Sequence, residues 1–399
     1  MNRNASTVII AGFFTIFISY AVRYSYGLLL PFMLPYLGIS NAQAGAIYSS
    51  YFIAYTVFSP VLGLVTDRSA VRYVLTFFIA LLGLGSFLMS CTSGIISACI
   101  FFGLAGIGQS AGWVPVVTIV QRWVNPGKRG RAVATVDIGS GAGIIIAGLV
   151  LPIIVTNLDW RWGWRCLGIM GFLVSGINYL FIKDPPADPN TLIANMESSL
   201  PTSVLQVIKE LIKIPAFWYI GFSYMMICFC IIIPFTFLPS YATQTLEIPY
   251  ASAALLISIL AICGILGKLV FGYLSDTAGR IRIMLLCAIL TTIGPLAMAF
   301  SESFSSLTVS TIIFGTGYGA LWPVYAAASR DFFPKAYSGS VIGLWTVLLG
   351  TGSIISPVLA GWAVDITGNY TFAFGIAAFA AIISGLLLLP VLNTTPDNL

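Results

Sequence analysis

The chain repeats itself at a single offset. Gly63 pairs with Gly272, a separation of 209 residues (272 − 63). The same shift superposes Asp67 on Asp276, Gly106 and Gly108 on Gly315 and Gly317, Trp113 on Trp322, Gly130 on Gly339, and Gly141 and Gly143 on Gly350 and Gly352. The residues that coincide are types that carry backbone and charge constraints, not bulk apolar residues. With 39 glycines in 399 residues, chance supplies a few such pairs. It does not supply an aligned Gly-x-Gly, a tryptophan and a loop aspartate without a net gap. Whatever this chain folds into is built from two copies of one unit.

The copies belong in a bilayer. At 58% hydrophobic and 8% charged residues, with mean hydropathy +0.98, a polar surface could not cover the molecule in water, so lipid is the solvent for most of its outside. Read at about 20 residues per span, apolar stretches fall near 8–30, 43–65, 73–91, 94–121, 132–156, 164–182, 216–241, 251–274, 282–301, 304–328, 338–363 and 370–391. That is six in each copy. Irregular backbone cannot face hydrocarbon, so each span is expected as a helix, with internal Gly and Pro marking close packing or bends. The expected fold class is an all-α membrane protein of twelve transmembrane helices in two pseudo-symmetric six-helix bundles. The expected domains are 1–182, a linker 183–213, and 214–399. Parallel repeats of this kind, with a site at their interface near the bilayer midplane, are how many secondary transporters are built.

Charge sets the expected orientation. With the N-terminus inside, the cytoplasmic ends and loops hold Arg3, Arg68, Arg72, Arg122, Lys128, Arg129, Arg131, Lys183, Lys209, Lys213, Arg280, Arg282, Arg330 and Lys335, against Arg161 and Arg165 outside. The asymmetry predicts both termini in the cytoplasm of a multi-pass plasma-membrane protein. The net charge of +5 is then a topology signal and predicts no nucleic-acid partner. Arg3 precedes an apolar run, but the run is long, contains Arg23 and lacks a small-x-small cleavage site, so it reads as a retained first helix. The seven cysteines all lie in or beside apolar stretches and read as small hydrophobes, not as disulfide or metal ligands. Within the linker, Val204, Leu205, Val207, Ile208 and Leu211 follow a Ser203-x-x-Gln206 capping signal and predict a short helix along the membrane surface.

Two loops carry a motif. Gly63-Leu-Val-Thr-Asp67-Arg68-Ser-Ala-Val-Arg72 follows the second span, and Gly272-Tyr-Leu-Ser-Asp276-Thr-Ala-Gly279-Arg280 follows the eighth. They resemble the G-x-x-x-D-R/K-x-G-R-R/K cytoplasmic loop of the major facilitator superfamily, present in both halves. The departures are Ala70 and Val71 in the first copy and Thr277 in the second. Gln121–Ala132, Trp160–Arg165, Arg330–Lys335 and Gly361–Tyr370 also look like stretches of that superfamily, the last two like its monocarboxylate and oxalate/formate carriers. The arginine usual in helix 4 is missing, with Phe102 near its place. The glycines would let helices approach, and a carboxylate with an adjacent base can latch the halves together. The resemblance implies that Gly63, Asp67, Arg68, Arg72, Gly272, Asp276 and Arg280 gate the outward-open state.

A repeat explains a scaffold, so chemistry is sought where the copies disagree in charge inside the membrane. Arg23 faces Ile232 at the 209 offset, Lys268 faces Ser59, and Asp137 faces Thr346. Arg23 lies roughly 22 Å along its helix at 1.5 Å per residue. A charge there costs about 2.5 to 3.5 kcal/mol on insertion scales, so it should face a wet interior and hold a partner. A guanidinium suits a carboxylate or phosphate. The resemblance implies that Arg23 and Lys268 contact the substrate anion, as basic residues of helices 1 and 8 do in anion-carrying relatives, although monocarboxylate carriers have an aspartate where this chain has Gly264. The structural alternatives are an Arg23–Asp137 pair and a Lys268 that snorkels to the surface. Asp137, about one turn into helix 5, could neutralise either base, carry a coupling proton, or cap the loop charges at Arg129 and Arg131. With no histidine in the chain, a proton would ride on Asp137, a perturbed lysine or the substrate itself.

Walls for a site come from helical spacing. Phe314, Tyr318, Trp322 and Tyr325 share one face, as do Gln109 and Trp113; Tyr20 and Tyr24 flank Arg23, and Tyr224 and Tyr241 lie on helix 7. Such stripes also serve plain packing. Hydroxyls beside an arginine suit a small organic acid.

The leading expectation is therefore a secondary transporter of a small organic anion of monocarboxylate type. It would work as a monomer by alternating access, with a proton as candidate coupling ion and with no cofactor or metal. An efflux carrier for amphiphilic drugs would show an acidic cavity, of which Asp137 is the sole trace. A solute sensor of the same fold would have little use for paired latch loops. An enzyme is not expected, since no histidine, metal cluster or nucleophile–base pair appears.

Overall fold

The computed structural model describes residues 3–184, 204–334 and 337–392, and helices make up the regular structure. They are α1 (Arg3–Leu37), α2 (Asn41–Arg68), α3 (Val71–Met89), α4 (Ile95–Gln109), α5 (Val114–Trp123), α6 (Arg129–Asn157), α7 (Trp160–Phe181), α8 (Val204–Leu211), α9 (Pro215–Gln244), α10 (Tyr250–Ala278), α11 (Arg280–Ala299), α12 (Phe304–Gly319), α13 (Leu321–Asp331), α14 (Ser338–Thr367) and α15 (Tyr370–Leu388). Eleven are long and apolar enough to cross a membrane, with α4–α5 and α12–α13 each counted as one. The remaining long helix, α2, has 28 residues. The protein is a multi-pass, all-helical membrane protein. Gly63, Asp67 and Arg68 of the first loop motif, and Ser203 and Gln206 of the capping signal, lie outside the described side chains.

The repeat reappears in the element boundaries. Adding 209 to α6 (129–157) gives 338–366, against an observed 338–367 for α14, and adding it to α3 (71–89) gives 280–298, against 280–299 for α11. Two spans expected as single helices are broken at matching places: α4 stops at Gln109 and α5 resumes at Val114, while α12 stops at Gly319 and α13 resumes at Leu321. Pro115 and Pro323 follow the breaks, inside the first turn, where a missing N–H costs no helical hydrogen bond. Gly319 lies directly against the backbone carbonyl of Gly264 on α10, a packing that a side chain would prevent.

Helices α1–α7 pack among themselves, as do α9–α15, and the two sets meet chiefly along three seams: α1 with α9, α2 with α14, and α6 with α10. The last two seams obey the repeat atom by atom. Ser49 Oγ donates to the Ile354 carbonyl at 2.5 Å, and Ser258 Oγ to the Ile145 carbonyl at 3.0 Å; 258 − 49 and 354 − 145 both equal 209. Gly141 packs on Ile265 as Gly350 packs on Thr56, again one offset apart.

The end of the molecule away from the chain termini is closed between the two sets. There Asp365 caps the start of α2, accepting from the backbone N–H of Asn41 and of Ala42, each at 2.8 Å, and from Asn41 Nδ2 at 3.0 Å. The Tyr370 hydroxyl reaches Asn41 and Gln244, and Tyr250 donates to the Leu28 carbonyl at 2.8 Å. Gly27 of α1 meets the Phe235 carbonyl of α9. Towards the opposite end, Lys268 is joined to Asp137 across the α6–α10 seam.

Candidate functional site

Arg23 sits on α1 below that closure, 7% exposed, and points into the protein. Its guanidinium carbon lies 5.6 Å from the ring centres of Tyr20 and Tyr51, 5.1 Å from Phe52 and 4.9 Å from Tyr55. Ring faces attract a cation, the more so where water is excluded. Among the described residues no carboxylate lies within ion-pair distance of it, and its Nε has no hydrogen-bond partner. The positive charge is thus cushioned by aromatic faces but not neutralised. Tyr24, the next residue, lies tilted at 4.1 Å against Phe235 of α9, which in turn meets Tyr318 of α12 at 5.3 Å, so rings beside Arg23 bridge the two sets of helices.

Lys268 has the counter-ion that its surroundings in sequence lack. Its Nζ donates to Asp137 Oδ2 at 2.6 Å, with both side chains about one quarter exposed (27% and 22%). Of the three readings of Asp137, the structure forms the one in which it neutralises Lys268: the carboxylate comes from α6, across the seam, not from the lysine's own helix. Asp137 also lies deeper than one turn, because α6 begins at Arg129 and eight residues at 1.5 Å put it ~12 Å along. The loop charges that it was expected to cap belong to the first turn of that helix.

The expected walls divide. Gln109 is buried at the end of α4, whereas Trp113, beyond the helix break, is 36% exposed, so the two do not share a face. The stripe of the expected span 304–328 splits in the same way: Phe314 and Tyr318 stack on α12, while Trp322 and Tyr325 of α13 both pack on Tyr224 of α9. The Tyr325 hydroxyl is shared with Ser223 at 2.6 Å, and that of Tyr241 donates to the Ser301 carbonyl at 2.8 Å. Both hydroxyls are engaged within their own set of helices. Ser19, Tyr51, Phe52 and Tyr55 near Arg23 were missed in sequence; the aromatic run 48–55 with its spacing of three and four was the available signal.

The described charged residues of the loop motifs are held inside their own halves. Arg280 binds Asp276 at 2.6 Å and Asp331 at 2.8 Å, joining the ends of α10 and α13. Arg72 lies over Tyr179 at 4.3 Å, while Asp184 accepts from the N–H of Val71 at 2.9 Å and of Arg72 at 3.4 Å, at the start of α3. A latch across the halves is not formed by these two bases. Gly272 has open space where a Cβ would stand, so the close approach expected of it is absent in this conformation.

A helical membrane protein with duplicated halves and an unneutralised buried cation at their junction defines the class. The Major Facilitator Superfamily profile matches residues 12–267 and 242–399, and the chain belongs to that superfamily. That is a superfamily of transporters, not of enzymes. It is similar to a hexuronate transporter of Bacillus subtilis, at 25% identity over 92% of this chain and 90% of that one. It is also similar to monocarboxylate transporter 12-B of Danio rerio, at 24% over 72% and 66%, and to the membrane sensor protein UhpC of Escherichia coli, at 23% over 95% and 91%. Among solved structures, a bacterial homolog of the human lysosomal transporter Spinster, inward-facing and occupied, matches with TM-score 0.81 at 14% identity over 100% and 99% of the two chains. The nucleoside transporter NupG matches with TM-score 0.77 at 17% identity over 99% and 100%.

Proposed function

We propose that the protein is a secondary transporter of a small organic anion, working by alternating access of two pseudo-symmetric six-helix bundles, 1–182 and 214–399, joined by the linker 183–213. The observation that carries the reading is Arg23, a permanently charged group buried at the junction with aromatic faces around it and, among the described residues, no carboxylate against it. A resident structural charge is normally paired; one left unpaired is ready for an incoming acid. The cargoes named by the hexuronate, monocarboxylate and hexose phosphate relatives are acids, which supports the same charge class here.

In this reading the anion meets Arg23 from the side carrying the chain termini, where basic residues concentrate and which is therefore assigned to the cytoplasm of the plasma membrane. Lys268 is the second base. Competition by the anion for its ammonium releases Asp137, which then takes a proton, so that cargo and proton are linked by exchange of partners. The monomer contains the whole route.

The test is counterflow in proteoliposomes against mono- and dicarboxylates, sugar phosphates and cationic drugs. Arg23→Ala is expected to reduce anion exchange to the protein-free background while the purified variant stays monodisperse. An Arg23→Ala protein that exchanges the anion at the wild-type rate removes the site. The UhpC relative favours one alternative, a sensor of the same fold, whose mark is anion binding without any counterflow.

A further inference from the structure

Three buried polar atoms on the α1–α4 side of the candidate site have no hydrogen-bond partner: Ser19 Oγ, Arg23 Nε and Gln109 Oε1. Ser19 is wholly buried and Gln109 is 2% exposed. Ser19 stands four residues before Arg23 on α1, so both project from one face of that helix, one turn apart. Gln109 is brought to the same place by the break after α4: a Cβ on Gly112 would lie 2.8 Å from Ser19 Oγ and 3.2 Å from Gln109 Nε2. Only glycine at position 112 lets the broken helix close on Ser19 and hold the amide there. Buried polar atoms without partners are rare, because each carries its full desolvation cost. Two such atoms, one on Ser19 a turn from Arg23 and one on the nearby Gln109, therefore require an account.

We propose that Ser19 and Gln109 are specificity-determining residues that read a hydroxyl group on the cargo, making the substrate a hydroxylated carboxylate in preference to a plain alkyl acid. This deepens the anion-carrier reading and rests on it. The demand follows from the donor and acceptor inventory. The guanidinium of Arg23 only donates and takes the acid group. The Gln109 amide presents one acceptor and one donor, and Ser19 can do either. A plain carboxylate supplies acceptors alone and leaves the Gln109 oxygen unpaired; a hydroxyl gives and takes, and satisfies either end of the amide as well as the serine. A pocket built to pair a hydroxyl rejects the analogue that lacks one far more strongly than an apolar pocket rejects a missing methylene.

The experiment measures heat protection of the purified protein by pairs of acids matched in charge and chain length, lactate with propionate and gluconate with hexanoate, and by the neutral polyol sorbitol. The hydroxylated member of at least one pair is expected to protect at about one hundredth of the concentration its partner needs. In Gln109→Leu that ratio is expected to fall below about tenfold. Ser19→Ala, a smaller change, is expected to narrow it in the same direction and serves where Gln109→Leu does not fold. A variant that weakens both members of a pair equally has only a structural role, and the proposal fails. Equal protection by both members in the wild-type protein also overturns it, while leaving the anion reading intact. Protection by sorbitol but by none of the acids overturns the anion reading itself.

Discussion

The seams α2–α14 and α6–α10 are the same construction used twice. Each holds one serine hydroxyl on a carbonyl across the seam and one glycine under a branched side chain, at positions exactly one repeat apart in number. They differ where charge enters. Lys268 and Asp137 cross α6–α10 as an ion pair, and the equivalent positions on α2–α14 are Ser59 and Thr346, the latter hydrogen-bonded to its own helix at Ile342. Conversely, Asp365 caps α2 across its seam, while the start of α10 offers Tyr250 at the corresponding place. One seam is pinned near the face away from the chain termini, the other towards the face that carries them. Duplication supplied the scaffold; the departures from it give each seam a different end to hold.

The strongest way to break this comparison is to make the seams alike. Lys268→Ser combined with Asp137→Thr copies the neutral seam onto the charged one. The double variant is expected to insert and fold, since it removes both charges together and leaves neither unpaired. It is expected to lose at least about tenfold in counterflow, equivalent to ~1.4 kcal/mol. Undiminished exchange by this double variant would show that the asymmetry is ornamental. A lesser effect is expected from the glycines. At Gly350 an added Cβ presses on Thr56, including its stiff branch point, whereas at Gly141 it meets only the outer atoms of Ile265, at 2.5 and 2.7 Å. Gly350→Ala should cost about 1 to 3 kcal/mol of stability by overpacking and Gly141→Ala less, read as the difference in melting temperature; a reversed order would place the tighter seam on the other side. The smallest effect belongs to the serines. Ser49→Ala and Ser258→Ala should each cost about 0.6 kcal/mol, the usual worth of a side-chain hydrogen bond between membrane helices. Clearly unequal losses in thermal unfolding would mean that the two hydroxyls are not equivalent.

Much of the scaffold was legible because it rests on local rules. Apolar length located the spans, and a repeat of glycines and one tryptophan paired them; glycines whose missing Cβ admits a neighbouring helix, such as Gly106 against Tyr51 and Gly315 against Leu260, are the reason those positions coincide. The buried charge of Arg23 was legible for the same reason, since a lone guanidinium among apolar neighbours needs no partner in view to be noticed. What escaped was set by tertiary contact. The Asp137–Lys268 pair stood only as one of three readings of Asp137, because the two are 131 residues apart and nothing local joins them. The breaks at 110–113 and 320 leave the hydrophobic pattern intact, so Gln109 and Trp113 kept a helical spacing in sequence that the backbone does not honour. Arg280 was read as a partner for the other half, but Asp331, the last residue of α13, is closer at hand in this conformation.

The cap that Asp365 places on α2 differs in kind from the other bonds between the halves. Its acceptor is exposed, and both the carboxylate and the amide hydrogens it holds are groups that water can serve as well. Separating them exchanges one set of hydrogen bonds for another, so each is worth only about 0.5 to 1.5 kcal/mol net, somewhat more for a charged acceptor. Such a fastening sets the resting register of two large bodies yet yields to thermal agitation. A buried clasp of equal geometry would strand its atoms on parting and hold the door shut for good.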